Sequence, residues 1–380
     1  MKIVCIAMAR IPYYTANSIQ VMKTCQAMTQ LGHEVTLIAF DNPETGGVQP
    51  WETVAKFYGL KTQFQISYFP FHKRGFIRRM FPWRALLRTL TFNPDILYIW
   101  PVQSAVGALL LRRPVIFEVH DRPTGRLGPI WFRLFLRLPG RKRLVMITRA
   151  LQNALEQTYS RSLPPEQIVI GPNGVDLERF ENLPDIHTVR RELNFPEKLT
   201  IACTGHLYTG RGANLFLGLT SEFPDAHFLW VGGRPDDVAV WRDRAAKEGL
   251  DNVTFTGFIP NQELPQYQAA ADILLMPYGP VIAGSSGGNS ADICSPMKMF
   301  DYLATGRAII TSDLPVIREI LNDKNAVFCP PEDLSAWTAA LSKLIDSPEQ
   351  REALSKRAHT DAEQYTWVAR SQKALQGFLL

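Results

Sequence analysis

Ser295-Pro296-Met297-Lys298-Met299-Phe300-Asp301-Tyr302-Leu303-Ala304-Thr305-Gly306 reads as one helix with both of its ends written into it. Ser295 is predicted to cap the first free amides, and Pro296 to take the first turn, where its missing N–H costs no helical hydrogen bond. Gly306 supplies the stop. Positions 295, 298 and 301 recur every third residue, which puts a hydroxyl, an ammonium and a carboxylate on one face. Met299, Phe300 and Leu303 cover the other. A helix amino terminus favours an anion, and Lys298 adds charge to it. A carboxylate one turn further on is placed to accept from a ribose hydroxyl. Diphosphate first and sugar hydroxyls next is the layout of a nucleotide-sugar site; the plain alternative is a buried helix with a solvated polar stripe.

Outward from this helix the chain alternates short apolar runs with helical spacing. Toward the amino terminus, strands are predicted at Lys2 to Met8, Glu34 to Phe40, Ile96 to Trp100, Val115 to Val119 and Leu144 to Ile147, with a helix over Ser18 to Leu31. Further strands are predicted at Thr200 to Thr204, His227 to Val231, Val253 to Thr256, Ile273 to Met276, Ala308 to Thr311 and Ala326 to Phe328. Helices are predicted around Ala213–Ser221, Asp237–Glu248, Glu263–Ala270, Pro296–Ala304, Val316–Leu321 and Leu334–Ile345. Strand, helix and strand in repetition implies α/β units with parallel sheets. The turn cluster Gly171-Pro172-Asn173-Gly174 separates residues 1–170 from residues 171–365. Two such sheets facing each other would enclose a ligand at their strand ends.

Composition narrows the class. The 380 residues suffice for two cores, and no apolar run is long enough to span a membrane. Five scattered cysteines form neither a disulfide framework nor a metal spacing, which suits a reducing cytoplasm. Residues 1–171 carry 22 lysines and arginines against 9 aspartates and glutamates, whereas residues 172–380 carry 19 against 27. The first half therefore faces something anionic. Arg74 to Leu90 and Arg126 to Arg143 interleave arginines with leucines and aromatics, and Arg133 and Arg137 share a stripe. That pattern predicts peripheral contact of residues 74–90 and 126–143 with an anionic membrane; core helices with basic edges are the alternative. No nucleic-acid motif accompanies the charge.

An ordered set of short segments then points to a family. It comprises Asn17-Ser18-Ile19-Gln20, Gly32-His33-Glu34-Val35, Phe117-Glu118-Val119-His120-Asp121, Gly171-Pro172-Asn173-Gly174-Val175-Asp176 and Gly205-His206-Leu207 with Gly210-Arg211-Gly212. It continues through Val231-Gly232-Gly233, Val253-Thr254-Phe255-Thr256-Gly257, Ala271-Asp272-Ile273, the 295–306 helix and Tyr365-Thr366-Trp367. Together these resemble the retaining glycosyltransferases of family 4. The resemblance implies a GT-B fold: two Rossmann-like α/β/α domains facing across a cleft, with residues of about 366–380 crossing back to the first. It implies an acceptor-binding domain over 1–170, a nucleotide-sugar-binding domain over 171–365, and metal-independent hexosyl transfer with retention.

The same resemblance distributes roles. Arg211 and Lys298 hold the donor diphosphate, helped by Gly205, His206, Ser295, Pro296 and Met297. His206 stands where the family has a basic residue and can be neutral at pH 7. Asp301 matches the ribose-binding carboxylate. The family's other acidic position falls on Ile293, which cannot accept a hydrogen bond, and Asp292 beside it is the candidate substitute. The Gly/Ser-rich stretch through Gly284, Ser285, Ser286, Gly287 and Gly288 can offer backbone amides. His120, after a strand, is the residue nearest the reaction, with Asp121 and Glu118 placed either to orient its ring or merely to cap the next turn, and Asn17 and Ser18 open a helix aimed at the donor phosphates or the acceptor. Catalysis is thus expected from His120, Arg211 and Lys298, with a nucleoside diphosphate sugar as donor, no metal or other cofactor, and a lipid-linked or envelope-glycan acceptor on the inner membrane face. A non-catalytic nucleotide-sugar or glycan-binding protein is the alternative.

Overall fold

The computed structural model describes residues 1–73, 75–282 and 289–378; Arg74 and residues 284–288, singled out above, lie outside the described residues. The chain forms two compact units, Met1–Asn173 with Trp367–Leu380, and Gly174–Thr366.

The first unit is built on β1 (Lys2–Ile11), β2 (Glu34–Asp41), β3 (Gln65–Phe69), β4 (Ile96–Ile99), β5 (Val115–Val119), β6 (Lys142–Met146) and β7 (Ile168–Ile170). Their order is β3-β2-β1-β4-β5-β6-β7, with every pairing parallel. The second unit is built on β8 (Thr200–Thr204), β9 (His227–Val231), β10 (Val253–Phe255), β11 (Ile273–Met276), β12 (Ala308–Ser312) and β13 (Val327–Cys329). Their order is β10-β9-β8-β11-β12-β13, again all parallel. The inner strands β4, β5, β8, β9, β11 and β12 are buried at every residue, as strands covered on both faces must be. Each sheet reverses its winding once, between β1 and β4 and between β8 and β11, so each has one crevice at its strands' carboxyl ends.

Several elements escaped the sequence reading, for visible reasons. β6 begins at Lys142, not at Leu144, because both basic side chains find buried acceptors. The Lys142 ammonium donates to the carbonyls of Phe135, Leu136 and Leu138 at the end of the helix Gly128–Arg137. Arg143 donates to Ala374 and Gln376, at the end of the helix Trp367–Leu375, each at 2.8 Å. Cations at a helix carboxyl terminus satisfy its orphan carbonyls. That last helix lies against the helix Ala16–Gln30, so the chain's end belongs to the first unit as expected.

The opening stretch needs one correction. The helix runs Met297–Thr305, Pro296 is its cap residue with extended backbone, and no side chain caps it. Ser295 precedes the helix and is buried; because Pro296 itself takes the extended cap conformation, the helix starts one residue later and Ser295 falls outside the cap. Gly306 ends the helix in the left-handed region, as predicted.

Candidate functional site

In the second unit, β8 and β11 pair directly, so the loops that follow them leave the sheet side by side. The first loop is Gly205-His206-Leu207-Tyr208-Thr209-Gly210-Arg211-Gly212, leading into the helix Ala213–Glu222. The second begins Pro277-Tyr278-Gly279 and leads, by way of Ser295, into the helix Met297–Thr305. They touch closely: Gly279 donates its amide to Gly210 at 3.0 Å. Gly212 has φ +83°, and a Cβ there would sit 1.9 Å from the Pro277 carbonyl oxygen. Only glycine permits that approach.

This contact brings the two predicted diphosphate-binding cations together around Tyr278, which the sequence reading missed. Lys298 Nζ lies 4.8 Å from the Tyr278 ring centroid, and the Arg211 guanidinium 5.2 Å from it. Arg211 also donates to the Tyr278 hydroxyl at 3.0 Å, while its buried Nε has no partner. Lys298 donates to the Thr204 carbonyl at 2.8 Å, beside Gly205. Among the described residues neither cation is paired with a carboxylate. Two uncompensated cations thus share one aromatic ring at the switch point, an arrangement whose charge would attract an anion.

Tyr302, also unassigned from sequence, fixes this geometry. Its hydroxyl accepts from the Thr204 amide at 2.8 Å and donates to the Leu275 carbonyl at 3.2 Å, bolting the helix to the ends of β8 and β11. His206 stacks on Tyr208 with ring centroids 4.7 Å apart. Burial, then Arg211 and Arg234, pushes the His206 imidazole below its ordinary range, so it is neutral at pH 7. Asp301 is nearly buried on the helix, Ile293 is buried, and Asp292 is exposed. Pro296 is buried and Met297, at the first helical position, half-buried. Ile293 therefore packs inward where the resemblance asks for an acid.

The first unit carries a separate constellation. Glu118, the fourth residue of β5, is buried and accepts from Gln20 at 2.5 Å, Arg370 at 2.6 Å and the Tyr98 hydroxyl. His120 Nε2 lies 2.5 Å from the same carboxylate, just past the end of β5. Burial opposes the Glu118 charge, but Arg370 and His120 outweigh it and hold the carboxyl at about 2. Ser18 is buried, its hydroxyl donating to the Tyr13 and Thr15 carbonyls, so it ties the helix start to the preceding loop. Asn17, one residue earlier in the same first turn, is exposed.

Two doubly wound units with parallel sheets of seven and six strands define an α/β protein of GT-B architecture. Residues 18–179 match the family described as Glycosyltransferase Family 4, and residues 198–347 the one described as Glycosyl transferases group 1. The chain belongs to the family 4 glycosyltransferases. Phosphatidyl-myo-inositol mannosyltransferase of Mycolicibacterium smegmatis is 24% identical over 74% of this chain and 70% of its own length. A GDP-mannose-dependent alpha-(1-6)-phosphatidylinositol monomannoside mannosyltransferase from the same organism is 24% identical over 76% of this chain and 77% of its own. Among solved structures, Anabaena HepE in complex with UDP and glucose superposes with a TM-score of 0.72 at 16% identity, covering 98% of this chain and 97% of that one.

Proposed function

We propose that this glycosyltransferase is retaining and metal-independent, that its second unit binds a nucleoside diphosphate sugar, and that its first unit binds a lipid-linked or envelope-glycan acceptor. The observation that carries the donor assignment is the pair of uncompensated cations, Arg211 and Lys298, that share the Tyr278 ring. As the bond from the sugar's anomeric carbon to the diphosphate breaks, negative charge grows on the leaving oxygens. Fixed cations stabilise it without reorganisation, the role a metal plays elsewhere. The acceptor oxygen bonds to the same face of that carbon and its proton passes to the departing phosphate. His120 acts on the transferred sugar, Asp301 on the ribose, and Asp292, Gly205, His206, Ser295, Pro296, Met297, Asn17 and Ser18 shape the surroundings. Hydrolysis of UDP-glucose and GDP-mannose, assayed with and without EDTA, tests this. Activity should survive EDTA and fall at least about tenfold in His120→Ala. Equal rates in wild type and His120→Ala would remove His120 from the reaction. The second reading, a non-catalytic nucleotide-sugar binder, is kept open by the buried Ile293; it requires that neither donor turns over.

The acceptor assignment draws on the phosphatidylinositol named in the relatives and on the surface of the first unit. Helices Gly75–Thr89, Val102–Leu110 and Gly128–Arg137 pack side by side, with Trp83 and Trp131 in edge contact at 5.6 Å. They leave Phe76, Leu87, Leu110, Leu127 and Ile130 exposed, Phe76 by 73%. Exposed arginines surround them, Arg133 and Arg137 included. Apolar residues ringed by arginines suit an anionic bilayer, which would place the enzyme peripherally on the cytoplasmic face. Among the described residues no helix is long and apolar enough to cross a membrane. Flotation with phosphatidylglycerol vesicles should carry the wild type upward and leave Arg133→Glu/Arg137→Glu at the bottom. A wild type that stays at the bottom sinks the membrane assignment.

A further inference from the structure

Glu118 is surrounded by donors from three elements, and that arrangement settles where the proton of a fourth group must lie. Arg370 can only donate, and its Nη2 is 2.6 Å from Glu118 Oε1. Gln20, from the helix Ala16–Gln30, donates its amide to the same oxygen. The Tyr98 hydroxyl, from β4, donates to Oε2; burial drives this phenol far above its ordinary range, so it keeps its proton. Cys25, the other titratable group nearby on the helix Ala16–Gln30, is driven up by burial and stays neutral. Asp121 follows His120 in the chain and takes the Arg122 amide. An ionised carboxylate only accepts, so the His120 Nε2 at 2.5 Å must carry hydrogen. In the neutral imidazole, Nδ1 is then the bare nitrogen.

We infer that Arg370 is a positioning residue: by keeping Glu118 a carboxylate, it fixes His120 in the tautomer with the proton on Nε2 and leaves Nδ1 to meet the substrate. Arg370 touches no reacting atom. Its Nε is spent on the Gly171 and Pro172 carbonyls, at 3.2 and 2.9 Å, so the chain leaving the first unit is pinned by the same side chain. Without the guanidinium, Glu118 is a buried acid with no counter-ion and takes up a proton. A protonated carboxyl offers a donor to Nε2, and the imidazole proton moves to Nδ1. The link to catalysis rests on the proposed role of His120; the tautomer itself does not.

The full chain, labelled with ¹⁵N-histidine, tests both parts, with the His120 signals assigned from His120→Gln. Above the imidazole's titration, wild type should show hydrogen on Nε2 and a bare Nδ1. Arg370→Met should move the proton to Nδ1. Its kcat for UDP-glucose or GDP-mannose hydrolysis should fall at least about tenfold, with donor KM within about twofold. Arg370→Lys keeps a cation and should keep both the tautomer and most of kcat. Glu118→Gln, close to isosteric, replaces Arg370→Met should the latter not fold, and is expected to scramble the tautomer. A wild-type proton on Nδ1, or a folded Arg370→Met with unchanged tautomer and kcat, overturns the inference. Should no variant, wild type included, turn over either donor, the functional reading falls, while the tautomer spectra still decide this one.

Discussion

Lys298→Ala should lower kcat/KM for the nucleotide-sugar donor by about 100-fold, near 2.7 kcal/mol of lost transition-state stabilisation. An ammonium has three donors. In this structure one goes to the Thr204 carbonyl at 2.8 Å and one lies 3.6 Å from the Cys203 sulfur, so one remains for a ligand. Its position between β8 and the helix Met297–Thr305 is set by Tyr302, which holds both elements. The charge is therefore preorganised and needs little movement as the leaving phosphate develops its charge. Arginine is a poor substitute, because its planar fork is longer and cannot sit against the Thr204 carbonyl in the same way. Lys298→Ala also leaves that carbonyl short of a donor, a stability loss of about 1–3 kcal/mol. Calorimetric titration with UDP and GDP separates the two effects. A variant that binds nucleotide and turns donor over like wild type takes Lys298 out of the site, and the donor assignment with it.

The parts of this chain legible from sequence are those where local pattern and tertiary role agree. β5, β8, β9 and β11 were bounded correctly because buried parallel strands are unbroken apolar runs between turn residues. β3 was missed because it is an edge strand whose alternation is blurred, with every residue partly exposed. β7, a three-residue strand at the other edge of the same sheet, was missed with it. β6 starts earlier than its apolar run because Lys142 and Arg143, which the sequence reading places in the basic stretch 126–143, are buried strand residues whose acceptors are helix-terminal carbonyls. At the site, Arg211 and Lys298 could be named from charge and glycine neighbours. Tyr278 and Tyr302 could not, since an aromatic at a strand end or on a helix reads as core; what marks them is the polar partner of each hydroxyl. From sequence, Glu118 reads only as one of two neighbours, with Asp121, able to orient the His120 ring or merely to cap the next turn. Its partner Arg370 lies more than 250 residues along the chain, a separation no local pattern bridges.

Gly212→Ala should damage the donor site more than its small size suggests. The added Cβ would meet the Pro277 carbonyl oxygen at 1.9 Å and the Pro277 ring at 2.6 Å. The obstacle is backbone and a rigid ring, so one of the two loops must move by about 1 Å. Pro277 precedes Tyr278, and the Arg211–Tyr278 bond is the contact least able to follow. Donor affinity should fall at least about tenfold and stability by about 2–4 kcal/mol, combining strain at φ +83° with the clash. Gly249→Ala is the internal control. It also has positive φ, +70°, but nothing lies within 4 Å of its would-be Cβ. That change should cost only the backbone strain, about 1 kcal/mol, and leave nucleotide binding as it was. Thermal unfolding and nucleotide titration of the pair separate backbone strain from loop contact. If the two variants behave alike, the loops after β8 and β11 do not meet as described, and the cation pair they hold around Tyr278 has no structural basis.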